Sequence, residues 1–123
     1  MNDKRPGRAP VLFDDAAFAD DIRRASDAGE EVALAARRDF EVEGVPVGPL
    51  LACDEEGPDG TALRHCLKLR LPLPDGKFGM VFRIELKAGR PTLVFAAFGV
   101  RHHPPEAKAP TVYGIAHERL HSK

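Results

Sequence analysis

Residues 63 to 71 read Leu-Arg-His-Cys-Leu-Lys-Leu-Arg-Leu, a string with a period of two. Leu63, His65, Leu67, Leu69 and Leu71 fall on one side, and Arg64, Cys66, Lys68 and Arg70 on the other. Successive side chains of a strand point to opposite faces, so this segment predicts a strand with one apolar and one basic face. The leucine face needs a covering layer, and the basic face is free to meet solvent or an anion.

The rest of the C-terminal half continues in strands. Pro72, Pro74, Asp75 and Gly76 form a turn, and Phe78 to Leu86 is a second strand with Met80, Phe82, Ile84 and Leu86 on one side. Lys87-Ala88-Gly89-Arg90 is a hairpin connection to a third strand, Thr92 to Val100. That strand is apolar on both faces, which puts it at the centre of the sheet or under the helices. Thr111 to Ile115 reads as a last short strand running into a C-terminal turn. His117 and His121, four apart, read as a solvated helix face rather than a metal pair.

In the N-terminal half, Val11, Leu12 and Phe13 predict an edge strand, and Asp14 or Asp15 caps a helix carrying Phe18, Ile22 and Ala25. On that helix Asp20 meets Arg24. Asp27 and Glu30 have the spacing of a capping box for a second helix, with Val32, Ala35, Ala36 and Phe40 as its apolar stripe. Val42 to Leu51 and Cys53 to Thr61 are rich in Gly, Pro and acid, and read as loop. The expected fold class is α+β: an N-terminal helical hairpin packed on one face of a three- to four-stranded antiparallel sheet.

Length and charge narrow the setting. The 123 residues suit a single domain, expected at 11–121 behind a flexible tail at 1–10. No apolar run approaches the ~20 residues that span a bilayer, and two cysteines without Cys-x-x-Cys spacing fit reduced thiols in a cytoplasmic protein. Neither a metal nor another cofactor is implied. The charge is lopsided: 15 acidic and 7 basic residues precede Thr61, against 4 and 11 from there on. A basic C-terminal half fits an anionic partner, although the two halves also neutralise each other.

Four strings together resemble the RelE/ParE superfamily of toxins from type II toxin–antitoxin systems. They are LRHCLKLRLP (63–72), FGMVFRIE (78–85), LVFAAFGVRH (93–102) and VYGIAHERL (112–120), in the family's order and near its spacing. The resemblance implies a RelE-like fold and, for the ribonuclease branch, a ribosome-dependent mRNA endonuclease that inhibits translation. In that reaction the 2′-hydroxyl attacks the neighbouring phosphorus and leaves a cyclic phosphate. It needs a base, an acid and positive charge around the phosphorane.

Carried over residue by residue, the resemblance implies catalytic roles for Lys68, Arg70, Arg101 and Tyr113, and RNA contacts from Arg64, Arg83, His102 and His103. The implied partners are a cognate antitoxin and mRNA on the ribosome. One departure is plain: the family's second-strand arginine falls on Gly79, and Phe78 and Phe82 stand where it has tyrosines. Two other readings therefore stay open. One is a ParE-like, non-enzymatic inhibitor of DNA gyrase; the other is a toxin fold that has lost catalysis and only binds. Taken without the resemblance, Lys68 and Arg70 are also ordinary edge charges that deter strand aggregation.

Overall fold

The structure is a computed structural model, and it describes residues 11–43, 50–52, 66–71, 76–101 and 111–121. The order is β1 (Val11–Leu12), α1 (Asp15–Arg24), α2 (Asp27–Glu43), β2 (Leu50–Ala52), β3 (Cys66–Leu71), β4 (Phe78–Lys87), β5 (Arg90–Val100) and α3 (Val112–His121). The strands form one five-stranded sheet ordered β1-β5-β4-β3-β2. This is α+β, as expected, but the sheet is mixed and larger than three or four antiparallel strands: β1 runs parallel to β5, and Leu50–Ala52, expected as loop, adds a strand beside β3.

β3 has the predicted alternation. Leu67, Leu69 and Leu71 join the aromatic core, and Cys66 faces the opposite side with Val81. The β4–β5 hairpin turns at Ala88 and Gly89, both with positive φ (53° and 78°), as a tight primed turn requires. β5 is apolar on both faces because helices cover both: α1 and α2 on one, α3 on the other. The expected one-sided layer of helices is therefore corrected to a three-layer arrangement. Residues 112–121, expected to begin as a strand, are helical. Thr111 starts the helix, its Oγ1 accepting from the Gly114 N–H (3.3 Å) and its carbonyl from the Ile115 N–H (3.0 Å). His117 lies on the buried side of that helix, not on a solvated face.

The face under α1 and α2 is built on phenylalanine. Phe13, Phe18, Phe40, Phe82 and Phe95 touch in a network of ring centroids 5.2–6.2 Å apart. Each such pair contributes roughly 0.5–1.5 kcal/mol beyond burial of its area. Arg37 closes the cluster from solvent, its guanidinium 4.7 Å from the Phe13 ring centroid and 4.9 Å from that of Phe18, with Asp15 and Glu41 holding it. Local signals place the two helices. Asp14 accepts from the Ala17 N–H as the N-cap of α1. Ser26, rather than Asp27, caps α2, its Oγ accepting from the Gly29 N–H. Asp20 pairs with Arg23, not Arg24.

The opposite face is built mostly on smaller apolar residues. Ala96, Ala97 and Val81 pack against Val112, Tyr113, Ile115 and Ala116. A bulge between Val81 and Phe82 makes room in β5 for Ala96, which has no partner on β4. β1 ends opposite Val94, so past that point β5 has no strand on its outer side. Two side chains take over the edge. Asp21 accepts from the Phe98 N–H (2.8 Å), and Arg119 donates to the Ala96 carbonyl (2.8 Å). They also bind each other (2.7 and 2.9 Å), and Arg119 reaches the Ala17 carbonyl. Asp21 is 3 % exposed. Among the described residues no helix is long and apolar enough to cross a membrane.

Two outcomes follow for stability. Arg119→Ala strands the buried Asp21 carboxylate, and urea denaturation should show a loss of roughly 3–5 kcal/mol; a loss below ~1 kcal/mol contradicts the clasp. Burial pushes the Cys66 thiol pKa up, with Arg83 opposing weakly. The folded state thus keeps a proton that the unfolded thiol begins to lose near ~8.5, and stability falls as pH climbs through that value. In a Cys53→Ser background, iodoacetamide at pH 8 should label Cys66 only after unfolding, as read by mass spectrometry.

Candidate anion-binding site

The basic face of β3 meets β4 and β5 in a fixed register. Arg70 lies opposite Gly79, and Gly79 lies opposite Gly99 on β5. Only β3 contributes a side chain to this row of three on the α3 side of the sheet, and Gly99 lies under Val112 and Ile115. Arg101 follows β5 and continues the ladder, its N–H donating to the Lys77 carbonyl (2.8 Å). Its stem folds back over Gly79: a Cβ on residue 79 would sit 3.0 Å from Cγ and 3.3 Å from Cδ of Arg101. The guanidinium then donates to the Gly76 carbonyl (3.2 Å).

Arg70 arrives at the same glycine from the other side. A Cβ on Gly76 would lie 2.7 Å from one terminal nitrogen of Arg70 and 2.8 Å from its Nε. Gly76 has φ of +74°, so glycine suits both the turn and the close approach. Two guanidiniums, 31 positions apart in the chain, therefore touch one residue. Among the described residues no carboxylate pairs with either. By contrast Arg23, Arg37, Arg83 and Arg119 each bind a carboxylate.

Electrostatics gives this arrangement its chemistry. Like charges ~4 Å apart repel by about 1 kcal/mol in bulk water and by about 4 kcal/mol at the lower effective dielectric of a protein surface. An anion bound between them adds an attraction to each guanidinium, and the two attractions together outweigh the repulsion. Arg101 spends one N–H on Gly76 and retains further donors, and Arg70 is exposed with its fork available. Guanidinium forks match carboxylate and phosphate oxygens alike; a phosphate group, with more oxygens to share between two forks, suits two converging arginines better than a lone carboxylate.

The other residues singled out by sequence fare differently. Lys68 shares the face with Arg70, two residues along β3 and opposite Val81, and is half-buried. Tyr113 sits in the first turn of α3 and is 7 % exposed, packed in one cluster with Val81 and Cys66. Its ring is thus part of the core under α3, not on an open surface. Arg83 lies four residues from Gly79, about 13 Å along the strand. It binds Glu85 and lines a separate cleft with Arg119, Asp14 and Asp20. Arg64, His102 and His103 lie outside the described residues. The structure thus brings Arg70 and Arg101 together, keeps Lys68 on their face, buries Tyr113 and separates Arg83.

Sequence reading missed the two glycines. Gly76 was legible only as part of a turn, and Gly79 only as a departure from a family pattern. Neither local signal says that an arginine from a neighbouring strand lies against it.

In a calorimetric titration with inorganic pyrophosphate, Arg70→Ala and Arg101→Ala should each weaken binding by about tenfold or more, the loss of a charged hydrogen bond or two. Arg83→Ala should stay within about twofold, since its partner is Glu85. Equal effects of all three would disperse the site. Family models, curated proteins and solved structures were all compared with this chain, and none matches it.

Proposed function

We propose that this chain is the toxin of a type II toxin–antitoxin pair, a RelE-like endonuclease that cuts mRNA on the ribosome in the cytoplasm. One observation carries the reading: Arg70 and Arg101, drawn from two of the four strings that resemble the family, converge on Gly76 with no carboxylate partner among the described residues. That is a place for a phosphodiester in a sheet face otherwise short of large side chains.

The chemistry follows from charge. As the 2′-hydroxyl attacks, negative charge grows on the non-bridging oxygens, and the two guanidiniums stabilise it, that of Arg101 held in place by the Gly76 carbonyl. Proton transfer needs separate groups. Imidazole titrates near ~6.5 and suits that work, and His102 and His103 directly follow Arg101 in the chain. Lys68, on the same face, adds positive charge to the track of the RNA backbone. A cognate antitoxin with an acidic segment would compete for the same corner.

The burial of Tyr113 favours a second reading, a toxin fold that binds RNA without cutting it. Expression of the chain alone separates the two. The endonuclease reading expects growth arrest, with mRNA ends falling within codons, and loss of both in the Arg70→Ala, Arg101→Ala double variant. Normal growth with intact mRNA, alongside salt-sensitive RNA binding in vitro, selects the binding reading. Arrest with intact mRNA and damaged DNA overturns both and points to gyrase.

A further inference from the structure

We infer that Gly79 is a positioning residue: its missing side chain is the seat that lets Arg101 cross from β5 and deliver its guanidinium beside Arg70. This rests on the reading of that corner as a phosphate-binding site. The constraint is steric. An added Cβ at residue 79 would meet Cγ of Arg101 at 3.0 Å, Cδ at 3.3 Å and the Leu69 carbonyl oxygen at 3.2 Å. On one side the backbone of β3 cannot retreat without breaking its ladder, so the Arg101 stem is the part that must move.

Gly99 shows that the tightness is local. It lies in the same row, opposite Gly79, yet an added Cβ there would meet Ile115 and Val112 at an ordinary 3.6 Å. The need for glycine at position 79 therefore comes first from the arginine, with the Leu69 carbonyl of β3 behind it, and not from α3. A Cβ at residue 79 would require the Arg101 stem to give by a few tenths of an ångström, and an arginine there would compete with that stem for the same space. The departure from the family pattern at this position is thus coupled to where the second guanidinium originates. The positive group is supplied across the strand pair instead of from β4 itself.

A double-mutant cycle tests this with a 2′-O-methylated hexauridylate, which cannot be cleaved, using fluorescence anisotropy over a salt series. Gly79→Ala should weaken binding about as much as Arg101→Ala, roughly tenfold. Both should flatten the salt slope by about 0.7, the loss of one phosphate contact on a single strand. In the Arg101→Ala background, Gly79→Ala should have no further effect, whereas a merely structural role would persist. Gly99→Ala should bind like wild type. A Gly79→Ala protein that binds like wild type, or an equal loss in both backgrounds, overturns the seat while leaving the anion site standing. Absence of binding by wild-type protein overturns both. Should Gly79→Ala fail to fold, nuclear Overhauser contacts in the wild type between the Gly79 α-protons and the Arg101 stem decide the matter, and their absence overturns the proposal.

Discussion

Arg119 and Asp21 hold the three layers in one arrangement. They are 98 positions apart, on helices that cover opposite faces of the sheet, and they meet around the open edge of β5. Unpaired main-chain groups at a strand edge are costly when buried and adhesive when exposed. Here a carboxylate and a guanidinium act as the missing strand: one accepts from the Phe98 N–H and the other donates to the Ala96 carbonyl. A buried ion pair adds little net stability over apolar packing, because desolvation consumes most of its attraction. What it does is fix geometry. The observed placement of α1 and α3 satisfies the carboxylate, the guanidinium and the strand edge together.

The two faces of the sheet then divide the work. The aromatic face buries phenylalanine against α1 and α2, where packing supplies most of the stability. The other face uses alanine, valine and glycine, which let α3 lie close on β4 and β5. At the start of that helix Gly79 and Gly99 contribute no side chains of their own, so Val112 and Ile115 lie over Gly99 and the Arg101 stem over Gly79. A large residue in that row would fill the space that Arg101 crosses. The concentration of charge at this corner is thus a by-product of how thin the sheet's second face is.

Much of the fold was legible in local pattern. The alternation of 66–71 gave β3 and its two faces, the Ala88-Gly89 turn gave the β4–β5 hairpin, and the double-sided apolar run of β5 placed it at the sheet centre or under helices, although helices were expected on one face only. The failures have physical causes. Thr111, Val112, Tyr113 and Ile115 favour strands by propensity, but Thr111 is a helix cap and Ala116 and Ile115 fit against Ala96 and Ala97, so packing outweighed propensity. β1 was read as an edge strand and is one; local pattern did not carry its parallel pairing with β5, whose contacts lie about 80 positions away. Leu50–Ala52 looked like loop because the surrounding glycines and prolines outweigh three residues that pair only in context.

For the candidate site, sequence alone determined which charges share a face: a period of two puts Lys68 and Arg70 together on any strand, whatever surrounds it. It also placed Arg101 at the end of an apolar strand. It could not decide that Arg70 and Arg101 would meet, that Tyr113 would be buried, or that Arg83 would turn to Glu85. Those outcomes depend on strand register and on which side chains are absent between the partners. Register is set by pairing across the whole sheet, and an absent side chain carries no signal until the neighbour that fills its place is known.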